Sequence, residues 1–204
     1  SGPRAVGHHM APNGHCYHCH FQKKYPECGL FCVDALEKQI LMEGTGNVAA
    51  IVMEPIQGWG GSVVYPDDYL PKIRKMCDKL GILMIVDEVL TCCGRTGKMF
   101  CVDHYDVVPD IIVLGKGLAN GFPCTAFAIR EDYTDVLEKI SASTSYGGNP
   151  MAAAAGLASL EVIEEENIVE RSAKLGSFIM GKLEQIRDSH PIIGEVRGKG
   201  CLLG

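Results

Sequence analysis

Short apolar runs alternate with amphipathic stretches through the middle of this chain. Ile82-Leu83-Met84-Ile85-Val86 and Ile111-Ile112-Val113-Leu114 are long enough, and apolar enough, to be strands buried on both faces. Val48 to Met53, closed by Glu54-Pro55, and Cys124 to Ile129 read as strands in the same way. Between them, Leu70, Ile73, Cys77 and Leu80 recur at helical spacing after Pro66-Asp67-Asp68 and stop at Gly81. Val33, Leu36, Ile40 and Leu41 predict an earlier helix, with Gly44 suited to a left-handed C-terminal cap. After Pro150 the texture turns helical: Met151 to Glu165 is rich in Ala, and Ile168, Leu175, Ile179 and Ile186 mark another amphipathic helix. This alternation predicts an α/β fold, a mostly parallel sheet with flanking helices joined by right-handed crossovers. The change of texture predicts a domain boundary near residue 152. Residues 1 to 30, rich in Gly, Pro, His and Cys, read as irregular.

Two residues at strand ends introduce chemistry. Asp87 closes the run Ile82 to Val86, and Lys116 follows the run Ile111 to Leu114 by two positions. In open α/β sheets the carboxyl ends of neighbouring strands border the crevice where ligands bind. A carboxylate and an amine meeting there suit pyridoxal 5'-phosphate. The lysine amine forms a Schiff base with the aldehyde, and the carboxylate keeps the pyridine nitrogen protonated so that the ring accepts electrons. Taken singly, an Asp that caps a helix and a Lys on an exposed loop are the ordinary readings of the same two residues.

Composition narrows the classes. With 47% hydrophobic residues the 204-residue chain has ample material for a core. Its 25 acidic and 19 basic side chains give a formal charge of -6, with no Lys/Arg-rich run to track a phosphodiester backbone. Nucleic acid is therefore not an expected partner. No stretch reaches the roughly 18 apolar residues of a membrane span, and Ser1-Gly2-Pro3-Arg4 does not open a signal sequence, so no membrane partner and a cytoplasmic location are expected. Of ten cysteines, Cys101, Cys124 and Cys201 sit within apolar runs, as free thiols do. His15-Cys16-Tyr17-His18-Cys19-His20, with Cys28 and Cys32, contains a Cys-x-x-Cys pair and surplus imidazoles of the kind that bind zinc. It lacks a second Cys-x-x-Cys, so a plain His/Cys-rich loop is the competing reading and no metal ligand is assigned.

Four segments stand in order: Glu54-Pro55-Ile56-Gln57-Gly58, Asp87-Glu88-Val89 with Gly94-Arg95-Thr96-Gly97, Leu114-Gly115-Lys116-Gly117-Leu118, and Ser145-Tyr146-Gly147-Gly148-Asn149-Pro150. Together they resemble the class III pyridoxal-phosphate aminotransferases, the family of ornithine, acetylornithine and 4-aminobutyrate aminotransferases. The resemblance runs from about Glu54 to the end of the chain. It implies a fold-type I enzyme, with residues 1–152 forming the second half of the cofactor-binding large domain. Residues 153–204 would form a connecting helix and the start of a C-terminal α+β small domain. Lys116 would carry the cofactor as an internal aldimine and move the proton of the substrate α-carbon. Asp87 would face the pyridine nitrogen and Val89 the ring, while Ser145, where the family usually has Thr, would bind the cofactor phosphate across a homodimer interface. The implied reaction passes an amino group from an amine or amino acid, ω-amino compounds included, to a 2-oxo acid.

The chain departs from the family pattern in places. Leu90 stands where many members have a Gln bonded to the cofactor's ring oxygen, and Leu cannot donate. Cys92 and Cys93 replace a Gly and a larger residue. Trp59 occupies the place of a gating Glu found in ornithine- and 4-aminobutyrate-type members, which favours a larger or less charged donor. The same carbanion chemistry also serves decarboxylases, racemases and phospho-lyases. An inert piece with a His/Cys metal-binding segment is the non-catalytic alternative.

Overall fold

The computed structural model describes residues 5–44, 46–137 and 144–204, so Ser1 to Arg4, read above for a targeting signal, lie outside the described residues. The chain divides into two compact units, Ser1–Val48 and Ala49–Gly204.

In the first unit, turns run up to helix α1 (Phe31–Glu43), and Leu30 enters it with a left-handed backbone, φ 60°. Val33 and Leu36 are buried, but Leu41 is 60% exposed, so the apolar stripe is narrower than its spacing predicts. Gly44 is not a left-handed cap: its φ is -79° and its N–H still reaches the Ile40 carbonyl. Close approach is what requires glycine here, because a Cβ would lie 2.5 Å from both the Ile40 oxygen and Val48 Cγ2.

The second unit is built on a four-stranded sheet. Strand β1 (Ala50–Met53) leads into a two-stranded antiparallel ribbon, β2 (Ile56–Gln57) and β3 (Val63–Val64), and then to helix α2 (Tyr69–Leu80). After α2 come β4 (Leu83–Asp87), β5 (Ile111–Leu114) and β6 (Ala126–Ile129). The spatial order is β1-β4-β5-β6, with the first three parallel and β6 antiparallel to β5. Helix α2 buries Leu70, Ile73, Met76 and Cys77, and each large side chain so removed from water contributes about 1.5–3 kcal/mol. It ends as expected at Gly81, whose φ of 66° sends its N–H back to the carbonyls of Cys77 and Asp78. Met84 and Val86, alternating along β4, are fully buried.

At the amino end of these strands Asp110 ties the sheet together. Its carboxylate accepts from the Met84 N–H at 2.7 Å, from Arg74 at 2.6 Å and from Arg130 at 3.0 Å. A short helix α3 (Thr134–Leu137) follows β6, and then come the long helices α4 (Pro150–Glu165) and α5 (Ile168–Ser189) and a small antiparallel pair, β7 (Gly198–Lys199) and β8 (Leu202–Leu203). Asn149 caps α4 by accepting from the N–H groups of Met151 and Ala152. Along α5, Leu175 and Ile186 are 50% and 45% exposed, so only part of the expected stripe is covered. No helix among the described residues is long and apolar enough to cross a membrane.

Candidate active site

The pairing of β4 with β5 sets the geometry of the strand ends. Asp87 is in register with Val113, and the Glu88 N–H donates to the Val113 carbonyl at 2.9 Å. Because the strands are parallel, Asp87 and the Gly115-Lys116 segment leave the sheet at the same edge. Asp87 turns back on itself: one carboxylate oxygen accepts the Val89 N–H at 2.9 Å. That turn lays Val89 over Gly115, where a Cβ would come within 3.1 Å of Val89 Cγ1. Asp87, Val89 and the backbone that carries Lys116 are thus brought together.

Lys116 opens a single 3-10 turn, Lys116–Leu118, with φ 41°, a left-handed conformation that costs a non-glycine residue about 1–3 kcal/mol. Its side chain is exposed and that of Asp87 half-buried; no ion pair joins them among the described residues. Ser145 is not part of this group. It is exposed in the turn before α4 and makes no hydrogen bond to Lys116 or Asp87 among the described residues.

Glu88, between the two expected cofactor residues, is a structural centre that motif reading passed over. It is fully buried and accepts three hydrogen bonds: from the Thr91 hydroxyl at 2.6 Å, the Cys101 N–H at 2.8 Å and the Val102 N–H at 2.9 Å. Burial pushes its carboxyl above the ordinary range despite these donors. The signal available in the sequence was a charge amid an apolar stretch with Thr three residues on.

The segment that Glu88 anchors supports two further groups. Cys92 donates to the Gly115 carbonyl at 3.6 Å, beneath Lys116. The Arg95 carbonyl accepts from Ser172 Oγ of α5 at 3.0 Å and from the Cys201 N–H at 2.9 Å. Beside them, Glu54 accepts the Gly58 N–H at 3.0 Å, and Leu90 packs so tightly onto Gly58 that a Cβ there would displace the Leu90 side chain. Trp59, next in that turn, is fully exposed.

In the first unit, Cys16, Cys19, Cys28 and Cys32 line one small cavity with His15. Among the described residues no three such side chains converge into a metal-binding group, and all ten cysteines are free thiols.

This arrangement matches known proteins along nearly the whole chain. The family model described as aminotransferase class-III matches residues 2–204. The chain belongs to the class III aminotransferases. Among curated relatives, leucine/methionine racemase of Thermococcus litoralis is 40% identical over 200 residues, which cover 96% of this chain and 44% of that protein. Ornithine aminotransferase 1 of Staphylococcus aureus is 44% identical over 168 residues, 82% of this chain and 42% of that protein. Among solved structures, an amine transaminase from an uncultivated Pseudomonas species, in its PLP-bound internal aldimine form, aligns with a TM-score of 0.91 at 36% identity. That alignment covers 98% of this class III chain and 47% of the other. The chain therefore spans less than half the length of the curated relatives it matches.

Proposed function

We propose that this class III chain provides the lysine-bearing part of a pyridoxal 5'-phosphate-dependent transaminase. The enzyme would pass an amino group from an amine or amino acid, ω-amino compounds included, to a 2-oxo acid. The observation that carries the reading is the parallel register of Asp87 with Val113, which brings a carboxylate and the Lys116 segment to one sheet edge with Val89 between. The donor set fits the cofactor. An acid suits a ring nitrogen, an exposed amine suits an aldehyde, and an apolar side chain suits a ring face.

When bound, the cofactor supplies an electron-poor ring that stabilises negative charge on a substrate carbon. This chain's residues do the rest. Lys116 would hold the cofactor through its amine, and would take and return the proton of the substrate α-carbon. Asp87 would face the ring nitrogen; its Val89 N–H bond fixes the direction of its other oxygen. Val89 would cover one ring face and exclude water from it. The Gly115 and Gly117 flanks leave the lysine backbone free to take its left-handed turn. Ser145 would bind the cofactor phosphate in a partner subunit, making the working unit a homodimer. Residues 1–152 would then be the second half of the large domain and residues 153–204 the start of the small one, in a cytoplasmic enzyme.

The test follows covalent capture. Protein incubated with pyridoxal 5'-phosphate and reduced with borohydride should carry the label on the peptide containing Lys116. Lys116→Ala should abolish both labelling and turnover, and Asp87→Asn should keep much of the labelling while slowing proton removal severely. Normal turnover by Lys116→Ala would overturn the mechanism. A racemase is the second reading, favoured by the 40% identity to the leucine/methionine racemase over 96% of this chain. It predicts that an optically pure amino acid loses its optical activity without any 2-oxo acid, which a transaminase would not permit.

A further inference from the structure

Two adjacent thiols lie directly under the lysine turn. Cys92 and Cys93 are 3% and 9% exposed and stand side by side in the chain. Cys92 also donates to the Gly115 carbonyl at 3.6 Å. On the other side of the lysine, a Cβ at Gly117 would sit 3.2 Å from Cys93 Cβ and 3.9 Å from its sulfur. The thiol pair thus touches the residues immediately before and after Lys116. Cys93 has a left-handed backbone, φ 59°, and Lys116 another, φ 41°, so each of the two segments that meet at this contact carries a strained residue.

Residues joined by a trans peptide have Cα atoms about 3.8 Å apart, below the roughly 4.4–6.8 Å span of ordinary disulfides. A bond between these two sulfurs would therefore be strained and readily reduced, the property of a reversible disulfide and not a structural one. One partner is also suited to react first. The neighbouring Cys93 thiol lowers the pKa of Cys92, against burial and the charge of Glu88, whereas Cys93 itself is pushed up.

We propose that Cys92 and Cys93 are a modification site, oxidised by a hydroperoxide to a vicinal disulfide that displaces the Lys116 turn. The Cys92 thiolate attacks one peroxide oxygen, breaking the O–O bond and releasing hydroxide, and becomes a sulfenic acid. The Cys93 sulfur then attacks that sulfur; the S–O bond breaks, the S–S bond forms, and water leaves with the Cys93 proton. Hydroxide takes up a proton from solvent, so two thiols and one peroxide yield one disulfide and two waters. The two electrons that reduce the peroxide come from the sulfur pair. Forming the bond removes the S–H that Cys92 donates to Gly115 and pulls Cys93 away from Gly117.

Trypsin gives a clean readout, because the peptide Leu80–Arg95 contains Cys92 and Cys93 and no other cysteine. The intact chain is treated with hydrogen peroxide, its free thiols are alkylated, and the digest is weighed. The expected peptide is unalkylated and lighter by two hydrogens than the reduced form, and it takes two alkyl groups after dithiothreitol. Cys93→Ser should stop at a sulfenic acid on Cys92 that dimedone traps. The wild-type measurement needs no variant, so a misfolded mutant does not remove the test. Recovery of two alkylatable thiols while the exposed Cys16 is oxidised would overturn the proposal, as would linkage of either sulfur to a different cysteine.

The coupling to Lys116 rests on the function proposed above and is read separately, as the rate of borohydride-fixed labelling of Lys116 by pyridoxal 5'-phosphate. Oxidation should slow it several-fold and dithiothreitol restore it. An unchanged rate sinks the coupling. A reduced chain that never takes the label at Lys116 sinks the proposed function and leaves the mass result standing.

Discussion

Replacing Glu88 with Gln tests whether one buried carboxylate holds the segment that follows Asp87. In the parent, one oxygen accepts from Thr91 and Cys101 and the other from Val102. Gln keeps the shape and one acceptor oxygen, so two of the three donors are retained, but its NH2 must face an N–H. Hydrogen bonds to a charged group contribute about 1.5–3 kcal/mol, and an orphaned buried N–H costs about 1–3 kcal/mol. Removing the burial cost of the charge offsets part of this, leaving a net loss of about 2 kcal/mol. For a unit of this size that is a fall in Tm of about 4–8 °C. The pH dependence carries a sign. Because burial raises the Glu88 carboxyl, the folded state binds its proton more readily than the unfolded chain. The parent's margin over the Gln variant should therefore widen as pH falls from neutrality towards the ordinary carboxylate range. Thermal unfolding followed by circular dichroism measures the first effect. Native-state hydrogen exchange locates it: the Cys101 and Val102 amides should lose protection while Ile85 and Val86 keep theirs. An unchanged midpoint, with Cys101 and Val102 as protected as before, would refute the reasoning.

Other perturbations probe other joints. Gly176→Ala drives a methyl into the Gly200 backbone, so α5 must separate from the β7–β8 turn; we expect a loss of about 1–3 kcal/mol and faster exchange at residues 198–203, with β4 and β5 unaffected. Asp110→Asn should cost about 2 kcal/mol at neutral pH by taking the charge from the acceptor that Arg74, Arg130 and the Met84 N–H share, with Arg74 keeping its pair with Asp78. Burial alone would raise the Asp110 carboxyl, but the Met84 N–H and Arg74 outweigh it and hold it below the usual 3.8. Its stabilisation is thus present above that value and lost as pH falls through the depressed one, so acid titration of parent and variant should converge. Asn149→Ala removes the α4 cap and should lower stability by about 1 kcal/mol in urea unfolding; no change would show that the cap is idle.

The parts of this fold that were legible in sequence are those with a local cause. Continuous apolar runs announced β4 and β5, and Gly81 ended α2 where a left-handed residue was needed. Asp87 and Lys116 were legible because strand ends are, and parallel pairing then brings them to one edge. What was missed depends on partners distant in the chain. The antiparallel direction of β6 is set by its return along β5, and its four residues do not encode that. Strands β2 and β3 have two residues each, too few to show a period. A side chain at Gly44 or Gly58 would have to displace Val48 or Leu90, and Glu88 is buried where Cys101 and Val102 bring it donors. Leu41, Leu175 and Ile186 fit a helical period yet stay exposed, since periodicity says which residues share a face and not whether anything covers it.

These long-range contacts meet in a single stretch of chain. From Asp87 to Val102 the polypeptide holds the carboxylate expected to serve the ring nitrogen, the valine over Gly115, the buried glutamate, the thiol bonded to Gly115 and the carbonyl that receives α5 and Cys201. The first of these residues is fixed by the sheet through its register with Val113, and the Glu88 N–H is tied to the same Val113. The others depend on the loop keeping its shape, and within the loop Glu88 joins the start to the end. A change at Glu88 should therefore reach both the Lys116 turn, through Cys92 and Gly115, and the seat of α5, through Arg95. A change at Gly176 should reach the second without the first. That asymmetry separates a loop that organises the site from one that merely adjoins it.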